Sequence, residues 1–71
     1  MRAYLTVSDN KETILLATVD GGSIRWEVAF EVPATFRGLI SRELLNRLAE
    51  VEDAIVRPSV ADVEVELRLA A

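Results

Sequence analysis

One stretch of this chain, residues 39–55, has a helical period, and it constrains the fold more than any other feature. Its large apolar side chains recur at steps of three and four residues, which places them on one stripe of an α-helix. The stripe consists of Ile40, Leu44, Leu48, Val51 and Ile55. Ser41 is the predicted N-cap, and Pro58 is the predicted end of the helix. Such a stripe must be buried, and we expect it to pack on a sheet formed by the rest of the chain.

The segments on either side of this helix alternate apolar and polar residues, which is typical of strands. We predict strands over residues 2–8, 13–19, 24–32 and 60–69. A Gly21-Gly22 turn joins the second strand to the third, because two glycines supply the positive φ angles of a tight hairpin. The resulting cross-strand pairs are Val19–Ile24, Ala17–Trp26 and Leu15–Val28.

The order of elements is therefore β-β-β-α-β in a single α+β domain over residues 1–71. We expect a four-stranded sheet with one helix packed on one face. The first three strands form an antiparallel meander, and the helix returns the chain so that the fourth strand runs parallel to the first. We favour pairing of the fourth strand with the first, giving the sheet order 3-2-1-4. The alternative places it beside the third strand.

The hairpin register places Leu15, Ala17 and Val19 on the sheet face beneath the helix. We then expect an apolar patch on the opposite face, formed by Tyr4, Ile14, Leu16 and Ala29. One helix about 10 Å wide cannot cover a sheet roughly 15 to 19 Å across. A chain of 71 residues without Cys or His also lacks the usual disulfide or zinc staples of small domains. We therefore expect a homodimer, formed through the outer face or a sheet edge, although isolated surface aliphatic residues are ordinary.

Acidic side chains alternate along two of the predicted strands, and they suggest an alternative function. These residues are Glu27, Glu31, Asp62, Glu64 and Glu66. Neighbours on one face of a strand lie about 6.7 Å apart, so the row can imitate a nucleic-acid backbone. The alternative is an acidic inhibitor of a nucleic-acid-binding protein, such as a phage-type anti-defence protein. Arg25 and Arg68 interrupt the row, and pairing with them on a solvated face explains the same pattern.

The composition disfavours several other classes of protein. A net charge of −4 argues against a nucleic-acid-binding regulator, the second alternative, because binding phosphates needs a basic face. His and Cys are absent and the lone lysine, Lys11, lies in a turn, so we expect neither an enzyme nor a cofactor or metal site. The chain opens on a strand-like pattern with no leader or membrane-length apolar run, so we expect a cytoplasmic protein. The main prediction is a non-enzymatic domain that binds itself and another, unidentified protein.

Overall fold

The computed structural model describes residues 1–70, so position 71 of the expected domain lies outside the described residues. The elements are β1 (Arg2–Val7), β2 (Thr13–Asp20), β3 (Ser23–Glu31), a 3₁₀ helix (Ala34–Leu39), α1 (Arg42–Glu52), β4 (Ile55–Val56) and α2 (Val60–Ala70). The sheet has the order β3-β2-β1-β4, and β4 runs parallel to β1. The predicted α+β class, the β-β-β-α-β order and the 3-2-1-4 sheet are therefore confirmed, with a further helix at the end.

The prediction that residues 60–69 form the fourth strand is wrong, because this segment is helix α2. The fourth strand is the short Ile55–Val56, and the backbone N–H of Arg57 extends its pairing by donating to the Leu5 carbonyl at 2.9 Å. α2 begins after Ser59, whose hydroxyl accepts a bond from the N–H of Asp62. The segment alternates with period two, but Val60, Val63 and Leu67 also follow a helical spacing. Burial of Val63 and Leu67 against the sheet selects the helix.

Helix α1 is shorter than predicted, and its buried side is displaced from the predicted stripe. Ser41 is the N-cap, as predicted, and its hydroxyl accepts from the N–H of Leu44 at 3.2 Å. The helix ends at Glu52 because Asp53 adopts a left-handed conformation with φ of 51°, well before Pro58. Leu45 and Ala49 are the buried residues of α1, whereas Val51 from the predicted stripe faces solvent.

Both faces of the sheet are covered, and this changes the predicted assignment of residues to faces. Directly opposite residues in an antiparallel pair share a face. Leu5 lies opposite Leu16, and Tyr4 lies opposite Ala17. The α1 face therefore carries Leu5, Ile14 and Leu16, and the α2 face carries Tyr4, Ala17 and Val19. Placing Leu15, Ala17 and Val19 under α1 was wrong, because the Ser8–Glu12 connection sets a register that the Gly21-Gly22 hairpin does not determine.

Strand β3 contains a bulge that moves its last residues from one face of the sheet to the other. The hairpin pairs Val19–Ile24, Ala17–Trp26 and Leu15–Val28 are confirmed. Ile14, however, pairs with Phe30, so Ala29 is the extra residue of a β-bulge. Phe30 therefore lies on the α1 face, whereas strict alternation along β3 would place it beside Trp26 on the α2 face.

A half-buried ion pair helps to fasten α2 to the sheet. Arg57 follows β4 and pairs with Glu66 of α2. The Arg57 guanidinium also lies over the Tyr4 ring, 5.4 Å from its centroid. Val63 of α2 is fully buried in the same region, against Tyr4 and Ala17. Arg57 thus contributes to packing between α2 and the sheet, and the Glu66 carboxylate is engaged in an ion pair inside the fold.

Candidate functional site

An apolar groove on the α1 face is the candidate functional site. Its lining is entirely apolar and consists of Ile14, Phe30, Val32, Pro33, Phe36, Leu39, Ile40, Leu44 and Leu48. The groove is open to solvent and encloses about 390 Å³. That volume falls within the range of about 300 to 1,000 Å³ found for ligand-binding clefts.

Three neighbouring elements bring these side chains together. The bulge at Ala29 turns Phe30 toward the α1 face, and Pro33 then ends the strand. The 3₁₀ helix starts with a bond from the N–H of Phe36 to the Pro33 carbonyl at 2.9 Å. Helix α1 forms the opposite wall through Leu44. The groove is thus the gap between the end of β3 and the first turns of α1.

Large apolar side chains around the groove remain exposed. Phe30 and Phe36 are each 54% exposed, Leu39 is 66% exposed and Leu44 is 40% exposed. Ile14 on the sheet is buried beneath them. Single exposed aliphatic residues are ordinary, but a convergent group around one concavity is typical of a binding surface. The gap also has the physical origin expected from the sequence, because one helix is too narrow to cover the whole sheet face.

Two surface ion pairs lie next to the groove. Arg37 of the 3₁₀ helix pairs with Glu12 at 3.6 Å, which ties the groove wall to the loop between β1 and β2. Glu43 and Arg47 pair at 3.4 Å along α1 and flank Leu44. Both pairs are substantially exposed, so each contributes little to stability. Their effect is to place charges of both signs beside an uncharged floor.

The predicted apolar patch does not form, because its four residues occupy different environments. Tyr4 is buried under α2, on the sheet face opposite to that of Ile14. Ile14 is buried in the groove floor, and Leu16 packs half-buried against the α1 core. Ala29 is the exposed bulge residue of β3. The prediction failed because the β1–β2 register places Ile14 and Leu16 on the α1 face, whereas Tyr4 lies on the opposite face and is covered by α2.

The predicted row of acidic residues is also broken. Glu27 and Glu31 are exposed on β3, but the bulge between them places them on opposite faces. Asp62, Glu64 and Glu66 belong to α2, where alternate residues are separated by about 200° around the axis instead of lying on one face. Glu66 is moreover paired with Arg57. The structure therefore does not assemble these five carboxylates into one surface.

The prediction from sequence missed the groove because one of its walls comes from an irregular segment between β3 and α1. Residues 33–39 have no regular period, and a helix starting at Phe36 would contain Gly38. One signal in the sequence could have indicated the groove. The connection between β3 and α1 contains several large apolar residues that follow neither a strand period nor a helix period. These residues are Phe36, Leu39 and Ile40, which follow Pro33 closely. A short connection cannot bury three such side chains by itself.

The acidic side chains among residues 1–70 do not gather in a group of three that would hold a metal ion. Neither described α-helix has the length and apolar character needed to cross a membrane. Comparison with protein-family models, curated proteins and solved structures finds no match to this chain. The function is accordingly inferred from the groove and the rest of the surface.

Proposed function

We propose that this protein is a small, non-enzymatic protein-binding domain whose apolar groove receives the apolar face of an amphipathic helix from a partner protein. The observation that carries this proposal is the convergence of Phe30, Phe36, Leu39 and Leu44, all exposed, on one groove. Covering these side chains removes apolar surface from water, which is the main driving force of association.

The apolar lining favours a helix over an extended peptide as the occupant. An extended strand entering the groove would bury its own N–H and C=O groups against Phe36, Leu44 and the other apolar side chains. A helix satisfies its own backbone groups and presents only side chains. Two or three anchors spaced by three or four residues would therefore fit the groove without unpaired polar atoms.

The charge of the chain favours a basic partner. The net charge of −4 attracts positively charged proteins over long range and raises the rate of encounter. Glu43 lies beside Leu44, and because its exposed pair with Arg47 contributes little, it can exchange that pair for a lysine or arginine flanking the anchors. The partner is thus a basic amphipathic helix.

The groove itself does not suit a symmetric contact between two copies. An isologous interface joins a patch to the same patch on the partner, so it needs a self-complementary shape. Two concave grooves laid on each other would leave both unfilled. A homodimer would therefore use another surface and leave the groove free for a different protein.

A panel of helical peptides made of leucine and lysine, titrated into ¹⁵N-labelled protein, tests this function. Chemical-shift changes are expected in the segment 30–48 that surrounds the groove. Leu39→Asp should weaken binding by about tenfold or more, because burying a leucine contributes about 1.5 to 3 kcal/mol. Val51→Asp is the matched control, since Val51 is also an exposed aliphatic residue but does not line the groove.

The proposal fails if the peptides produce no localised shifts, or if Leu39→Asp and Val51→Asp bind them equally well. Sequence scrambling that keeps the leucine and lysine content but removes the helical period should abolish binding. Equal binding of the scrambled peptides would indicate non-specific charge attraction to an acidic chain.

A further inference from the structure

The outer edge of β3 is the longest unpaired strand edge in the described part of the chain. β3 lies at one end of the sheet, and within residues 1–70 only β2 pairs with it. The strand at the other end, β4, is only Ile55–Val56. β3 contains neither lysine nor proline, the residues that commonly blunt exposed edges. Its free N–H and C=O groups therefore form a template for another strand.

The hairpin turn determines which backbone groups of β3 are free. Gly21 and Gly22 have φ angles of 55° and 89°, and Asp20 faces Ser23 across them. In such a turn the Asp20 carbonyl accepts from the Ser23 N–H. Bonded and non-bonded pairs then alternate along the ladder.

This alternation directs every second residue of β3 outward. Arg25 and Glu27 point their backbone groups toward β2, whereas Ile24, Trp26 and Val28 point theirs to the open edge. The side chains divide in the same way. Arg25 and Glu27 lie on the α1 face, and the three apolar side chains lie on the α2 face.

We propose that a second copy of this chain pairs with β3 in antiparallel orientation about a twofold axis through Trp26. In this register Trp26 lies opposite Trp26 of the partner subunit, and Ile24 lies opposite the partner's Val28. The backbone groups of Ile24, Trp26 and Val28 all point to the open edge, so each of these pairs exchanges two hydrogen bonds. The contact is isologous and closes as a dimer with one continuous sheet.

Charge complementarity favours this register. Arg25 lies opposite Glu27 of the partner subunit, and the twofold axis forms the same pair a second time. Centring the axis on Arg25 or on Glu27 would place like charges opposite each other. Centring it on Val28 would force pairing across the bulge at Ala29.

The same register also covers exposed apolar surface. Val28 is 55% exposed on the α2 face, and Trp26 beside it is only half-buried. In the dimer Val28 packs against the partner's Ile24 while the two tryptophans meet across the axis. Such cross-strand aromatic and aliphatic pairs stabilise sheets. Because the paired segment is short, we expect a reversible dimer of micromolar affinity rather than a permanent one.

Sedimentation velocity of the full chain and its charge variants tests the dimer. The wild type should show a concentration-dependent rise from 7.9 kDa toward twice that mass. R25E and E27R each place two like-charge pairs at the joint, so each should raise the dimer dissociation constant by roughly tenfold. One variant makes the chain more acidic and the other less acidic, so a shared loss is not a net-charge effect.

Restoration of the dimer distinguishes the proposed pairing from simple unfolding. An equimolar mixture of R25E and E27R should form a heterodimer, because R25E is acidic at both positions 25 and 27 whereas E27R is basic at both. The double variant R25E/E27R should dimerise with itself. Leu39→Asp should dimerise as the wild type does, because Leu39 lies in the groove and not at the β3 edge. Loss of peptide binding in the groove and loss of the dimer are therefore separate results.

A wild type that stays monomeric at millimolar concentration overturns the proposal. So does retention of wild-type affinity by both single variants, or failure of their mixture to restore the dimer while both variants keep native circular dichroism.

Discussion

Replacing Val63 or Val65 with alanine distinguishes a helix from a strand over Val60–Ala70. On a strand both valines would face the same way and be equally buried. On helix α2 they lie about 200° apart, and Val63 is fully buried while Val65 is 52% exposed. Two identical substitutions, two positions apart, should therefore have unequal effects.

The expected magnitude for Val63→Ala follows from its packing against Tyr4 and Ala17. Alanine removes two buried methyl groups at about 0.8 kcal/mol each, and the cavity left behind adds to the loss. The better helix propensity of alanine returns up to about 0.7 kcal/mol. We expect the free energy of unfolding to fall by about 1.5 kcal/mol.

The matched variant Val65→Ala should be close to neutral. Its side chain is only half-covered, so the lost burial is smaller and the gain in helix propensity offsets it. We expect a change within about 0.5 kcal/mol of wild type. Urea titration followed by the fluorescence of Trp26, the only tryptophan, reports on the cluster that contains Val63. Equal destabilisation by the two substitutions would refute the helical assignment of α2.

Two further substitutions test a buried position on β1 and the N-cap of α1. Thr6→Val should raise the free energy of unfolding by about 1 kcal/mol, because Thr6 is fully buried and its hydroxyl has no hydrogen-bond partner within residues 1–70. A clear loss in a urea titration would instead indicate that the hydroxyl bonds to a buried water. Ser41→Ala should lower the free energy of unfolding by about 1 kcal/mol, since it removes the N-cap bond to the Leu44 N–H. Ser23→Ala is its control, and the same small effect from both in thermal unfolding would contradict the capping role.

Much of the fold was predictable because its signals are local. The Gly21-Gly22 turn defines the β2–β3 hairpin, and its predicted pairs are present. Ser41 was identified as the cap of α1 from its place before the apolar period. A helical connection allows a parallel fourth strand, and the favoured sheet order 3-2-1-4 is present, although the strand in fourth place is Ile55–Val56 and not residues 60–69.

The candidate site was not predictable in the same way. The bulge at Ala29 adds one residue to β3, and the residue types of that strand do not predict a bulge there. Without the bulge, Phe30 would lie on the α2 face and the groove would lose one wall. The 3₁₀ helix has no repeating period to reveal which side of Phe36 is exposed. These features depend on contacts between segments distant in the sequence.

The sequence by itself determined the hairpin and the start of α1, because turn and cap residues act on their immediate neighbours. It left two positions open for the fourth strand, beside β1 or beside β3. Only the tertiary structure decided what residues 60–69 become. Their pattern satisfies a strand through Val63 and Val65, and a helix through Val63 and Leu67. The α2 face of the sheet is apolar, and a helix contributing Val63 and Leu67 buries it. The Arg57–Glu66 ion pair helps to hold this helix on the sheet. Burial therefore decided between two periods that the sequence carries equally well.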